Sequence, residues 1–201
     1  MLQKLIPVLA LTAPEAGIQQ LCEIFGFQRT GQGRVSYGDL TVAVVSAADV
    51  PQDLLPIQMD HLALKVPDLD QVMAQVQAPW SAVTPNGPRE IAEFWDVGVR
   101  FMFYDAPEGA PLEYCTLRDG SVRARGLDHF GLRLADLEPM DLQLRALGAT
   151  PVAEHRLGEV NVRFLERAGQ IFELFDEPPL LEPRERPAPL LSGWCGFLVD
   201  A

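Results

Sequence analysis

The chain has 201 residues, 48% of them hydrophobic, enough for a sizeable core without covalent staples. Its formal charge of −12 sets the surface against nucleic acid and anionic membranes, so a small molecule is the expected partner. Three cysteines, Cys22, Cys115 and Cys195, are too few and too scattered for a disulfide framework or a metal clamp, and read as buried thiols of a cytoplasmic protein.

Residues 1–13 carry a short apolar run, Leu5-Ile6-Pro7-Val8-Leu9-Ala10-Leu11, interrupted by Pro7 and flowing straight into a helical pattern. That favours a strand over a signal segment, and no apolar stretch approaches the ~20 residues that span a bilayer. Ile18, Leu21, Cys22 and Phe25 then recur at helical spacing up to Gly26, and residues 40–46 read as a strand. Residues 1–50 thus form a first small unit.

A second unit spans 57–118. It opens on a strand beginning Asp60-His61, continues into a helix capped by Asp68 with Val72, Met73 and Val76 inward, and ends on a strand holding Leu112-Glu113-Tyr114. A third spans 125–178 and repeats the second. Asp60 to Asp70 lies over Asp128 to Glu138 with five identities, at an offset of 129 − 61 = 68 residues. Asp136 is its cap candidate, Met140, Leu144 and Leu147 its helix face, and Gly148 its stop. Val97-Gly98-Val99-Arg100-Phe101 is echoed by Val160-Asn161-Val162-Arg163-Phe164, and Leu112-Glu113-Tyr114 by Phe172-Glu173-Leu174. Gly87, Gly109 and Gly169 punctuate the turns. Residues 179–201 form a proline-rich extension, extended in its first part, whose apolar end (Trp194 to Val199) needs cover from the body or a second subunit.

The first unit is a degenerate third copy, with Val8 where the others have histidine and Ala43 roughly where they have glutamate. An unpaired module leaves a sheet edge or face exposed, which a homodimer would cover.

Alternation puts His61, Ala63 and Lys65 on one strand face and Leu62, Leu64 and Val66 on the other; His129, Gly131 and Arg133 do the same. Glu113 and Glu173 each sit between apolar neighbours, where a carboxylate costs several kcal/mol unless neutralised. Two such modules paired about a local two-fold axis bring His61, Glu113, His129 and Glu173 together. Imidazoles with carboxylates suit a divalent ion such as Zn, Ni, Co, Mn or Fe, with room left for water or substrate. His155 has no repeat partner and reads as a surface or cavity-rim residue.

These residues resemble the vicinal oxygen chelate superfamily, which includes glyoxalase I, extradiol dioxygenases, fosfomycin-resistance enzymes and bleomycin-resistance proteins. The resemblance covers residues 58–178 and, more faintly, 4–48. It implies an α+β fold in which tandem βαβββ modules pair into an eight-stranded cup around a metal, here with the extra degenerate module in front. The four filled ligand positions are similar to those of glyoxalase I, which implies lyase or isomerase chemistry on a small oxygenated substrate: an enediolate stabilised by the metal, with Glu173 or, second, Glu113 moving the proton. An Fe(II) extradiol-type dioxygenase without Glu113 as ligand and a metal-free binding protein of the bleomycin-resistance type are the alternatives. Lys65 and Arg133, on the histidines' strand face, could hold an anionic substrate group or stand solvated or paired. The extra module and the proline-rich extension depart from glyoxalase I.

Overall fold

Three times along the chain, the same strand, helix and three-strand pattern appears. The computed structural model describes residues 2–76, 88–176 and 193–200; the expected turn at Gly87 and the proline-rich stretch 177–191 lie outside them. The first copy comprises β1 (Leu5–Leu11), α1 (Pro14–Glu23), β2 (Gln28–Gly31), β3 (Arg34–Tyr37) and β4 (Leu40–Ser46). The second comprises β5 (His61–Lys65), α2 (Leu69–Gln75), β6 (Arg89–Ile91), β7 (Val99–Asp105) and β8 (Pro111–Leu117). The third comprises β9 (Gly126–Arg133), α3 (Glu138–Ala146), β10 (Thr150–Leu157), β11 (Val160–Arg167) and β12 (Gln170–Phe175), and β13 (Gly193–Val199) follows. No helix among the described residues is long and apolar enough to cross a membrane.

The helix boundaries follow local chemistry. Asp68 accepts from the Gln71 amide at 3.1 Å, capping α2. Asp136 accepts from the Glu138 amide at 3.0 Å, just ahead of α3, and Gly148 stops that helix with a φ of 90°.

In every copy the first and last strands run parallel and the other two follow antiparallel, in the order first, last, third, second. The second and third copies join through the antiparallel pair β5 and β9 into one eight-stranded sheet, β10-β11-β12-β9-β5-β8-β7-β6. This is the expected α+β cup. The first copy has no such partner module. β13 takes that place, antiparallel to β1, in a five-stranded sheet β13-β1-β4-β3-β2. β1 therefore has a strand on each side and offers no edge to a second subunit.

One apolar core serves both sheets. Leu62, Leu64, Phe130, Leu132, Phe172 and Leu174 from the eight-stranded sheet pack in the same cluster as Leu5, Leu9 and Leu11 of β1. Each such side chain, fully buried, contributes about 1.5–3 kcal/mol. Phe197 of β13 joins them, 4.9 Å from Phe130 and 5.8 Å from Phe172 between ring centroids. Polar ties match donor to acceptor across the seam: Gln170 exchanges two 2.7 Å hydrogen bonds with the backbone of Leu5, and Trp194 donates to Pro111 O at 3.0 Å.

Two sequence alignments shift by two residues. Phe103 pairs with Glu113 and Phe164 with Glu173, so Phe164 corresponds to Phe103 rather than to Phe101. Arg100 and Arg163 are accordingly not equivalent; each instead ion-pairs to a helix carboxylate of its own module, Asp70 at 3.0 Å and Asp141 at 3.1 Å. Likewise Ala63 pairs with Glu113 and Gly131 with Glu173, whereas Ala10 pairs with Val45. Val45, not Ala43, holds the glutamate position in the degenerate copy.

Candidate metal centre

The leucines and phenylalanines of β5 and β9 face the core, which leaves their alternate residues to face the hollow of the cup. Register then fixes what meets there. His61 pairs with Gly131, which pairs in turn with Glu173; Ala63, beside His129, pairs with Glu113. In backbone register each histidine is separated from the other module's glutamate by one small residue, although its Nε2 lies closer to the glutamate of its own module.

The functional atoms converge. His61 Nε2 lies 3.2 Å from His129 Nε2, 3.0 Å from Glu113 Oε2 and 3.7 Å from Glu173 Oε2. His129 Nε2 lies 3.4 Å from Glu113 Oε2 and 3.2 Å from Glu173 Oε2. Ligand atoms bound about 2.0–2.2 Å from one ion stand roughly 3 to 3.6 Å apart when adjacent, so this donor set fits a divalent metal. His61, Glu113 and His129 are buried and offer ligand atoms within 4.8 Å of one another.

Behind each imidazole stands a carboxylate. His61 Nδ1 is 3.1 Å from Asp60 and His129 Nδ1 is 2.8 Å from Asp128, which fixes each ring with Nε2 toward the cluster. Asp60 is held in turn by Arg133, whose Nε lies 3.2 Å away. These two aspartates were not assigned from sequence, although the repeated Asp-His pair carried the signal.

The imidazoles and carboxylates shift one another's protonation. Burial, the largest influence, opposes charge on His61, yet hydrogen bonds to Asp60 and Glu113 outweigh it and push the imidazole up to about 9. His129 is driven well above its ordinary value by Glu173, Asp128 and Glu113, again against burial. Glu113 is pulled down to about 2 by both imidazoles, although burial alone would raise it. Two carboxylates facing two imidazoles in a buried site favour positive charge there, which a divalent cation can supply.

The sequence matches no protein-family model and no curated protein. Solved structures do match. A variant of glyoxalase I from Zea mays superposes with a TM-score of 0.65 at 16% identity, over 89% of this chain and 68% of that one. A variant of 4-hydroxymandelate synthase from Streptomyces coelicolor gives 0.50 at 15% identity, over 85% and 69%. The chain shares its fold with these two proteins.

Within this glyoxalase-like fold the cluster forms the floor of a cavity of about 540 Å³. Phe103 and Phe175 flank His61, at 5.0 and 5.9 Å between ring centroids. Arg133 lines the cavity, with its charge engaged by Asp60 and its guanidinium 5.6 Å from the Phe175 ring. Lys65 does not line it, so of the two cations expected to meet substrate only Arg133 reaches the site. Cys115 shares the floor, with its thiol pushed well up by burial and by the nearby carboxylates. It forms a second possible ligand group with Asp128 and His129, but Asp128 is committed to His129. His155 packs against Phe94 and Phe164, 4.9 and 5.9 Å away, and its buried Nε2 has no hydrogen-bond partner among the described residues.

Proposed function

We propose that the chain is a metal-dependent enzyme with glyoxalase-like lyase or isomerase chemistry on a small oxygenated substrate. The observation that carries this reading is the convergence of His61, Glu113, His129 and Glu173 on the floor of a cavity large enough for such a substrate. All four side chains would hold the ion. A divalent ion bound there supplies Lewis acidity, favouring the loss of a proton from carbon next to oxygen.

The chain's own groups do the rest. Asp60 and Asp128 keep the imidazoles oriented. The aromatic walls exclude water, which strengthens every charge interaction at the floor. Glu173 is the base of choice, because its side chain is the more exposed to the cavity, 12% against 8% for Glu113, and its Oε2 stands 3.7 Å from His61 while keeping 3.2 Å to His129. A carboxylate placed beside the bound substrate can take a proton from one carbon and return it to its neighbour. Glu113, at 3.0 and 3.4 Å from the two imidazole nitrogens, is the second choice.

Elemental mass spectrometry on untagged protein tests the reading. Near-stoichiometric metal is expected in the native chain and none in a folded His61→Ala, His129→Ala variant. A native chain that stays empty after anaerobic reconstitution would instead support the binding-protein alternative. Iron with oxygen consumption would move the assignment to a dioxygenase.

A further inference from the structure

The cup is less symmetric than its floor. In the third copy β10 turns into β11 through Gly158 and Glu159 alone, whereas in the second copy residues 92–98 separate β6 from β7. Those residues form a tight turn, Phe94–Asp96, with Trp95 and Asp96 at φ of 55° and 60°. Left-handed backbone costs a non-glycine residue about 1–3 kcal/mol, so surrounding contacts must hold it. They come from the opposite module: the rings of Phe94 and Trp95 lie 5.2 and 4.8 Å from Phe164 of β11. The turn thus reaches across the cup and closes one wall of the cavity.

The second copy also supplies a cation. Arg89 lines the cavity and pairs with Phe101, which pairs with Cys115; one step along the strands, Phe103 pairs with Glu113. Arg89 therefore stands two strands over and one inward-facing residue along from Glu113, roughly 12 Å between Cα atoms. The path between them runs over Phe103 and then Phe101, whose rings are 5.9 Å apart. Among the described residues Arg89 makes no ion pair, in contrast to Arg133.

We propose that the substrate is a flat, aromatic or otherwise unsaturated compound. It places an oxygen-bearing end at the His/Glu cluster, its body against Phe103 and Phe101, and a carboxylate or similar anion at Arg89. This rests on the metal-centre reading and adds the identity of the far end.

Calorimetric titration of zinc-loaded protein with three hydroxamates, which chelate through adjacent oxygens, tests it. Benzohydroxamate should bind about tenfold more tightly than acetohydroxamate because of the aromatic walls, and 4-carboxybenzohydroxamate about tenfold more tightly again. Arg89→Gln should erase the second gain and leave benzohydroxamate unchanged; Arg89→Lys should restore part of it. Equal binding of all three compounds, or a carboxylate gain that survives Arg89→Gln, overturns the proposal while leaving the metal centre standing. If no hydroxamate binds the zinc-loaded chain, the metal-centre reading falls and takes the proposal with it.

Discussion

Gly131 shows how finely the floor is fitted. A β-carbon there would run into the imidazole of His61, so the histidine can lie across β9 only because this residue has no side chain. Gly131→Ala is expected to displace the ring and lower metal affinity more than tenfold with the circular dichroism spectrum unchanged; undiminished affinity would show that the ring can move without loss. Asp60→Asn and Asp128→Asn should each cost about 10–100-fold in metal affinity, read by competition with a chelating dye. The pH dependence of the metal-free chain follows from its imidazoles. His61 is raised above its unfolded value of 6.5, so its contribution is complete below pH 6.5 and disappears as pH rises through about 9. Thermal melts should show the metal-free protein losing stability across that window and the loaded protein holding it. Glu113 has the opposite sign, and its contribution is lost as pH falls from about 4.5 toward 2.

Strands and helices were legible where the chain repeats itself. The Asp-His openings and the final glutamates identified all four candidate ligands, because a strand buries alternate residues and an isolated carboxylate among leucines and phenylalanines needs a reason. The same alternation explains the two misplacements. Taking Phe101 for Phe103 and Ala43 for Val45 shifts a strand by two residues, a full period, and leaves the correct face inward. Arg133 was read for its face alone; its partner Asp60 comes from the other module, and no local pattern announces such a pairing. Nor does any local signal assign β13 to β1, since the apolar run from Trp194 to Val199 asks for cover without naming what covers it. Phe197→Ala removes a ring packed against Phe130 and Phe172 and should cost about 3–5 kcal/mol in chemical denaturation; a loss under 1 kcal/mol would mean that β13 is not integral to the core.

At the scale of the molecule, one topology is used three times and its partnering is solved in two ways. Two copies complete each other and leave between them a hollow with aromatic walls and a polar floor. The remaining copy, with valines at the ligand positions, is completed by a single strand. That strand comes late: Cys195, which donates to Val8 O, is 187 residues from it in sequence. During synthesis β1 must therefore wait, with the edge that β13 covers unsatisfied, until residues 193–199 have been made. Closure at such separation is slow, and an open strand edge is the surface on which chains join wrongly. Nascent chains arrested before residue 193 should be held by a chaperone or aggregate on release, whereas chains that include residues 193–199 should fold, so the arrival of this strand acts as the signal that the first copy can close.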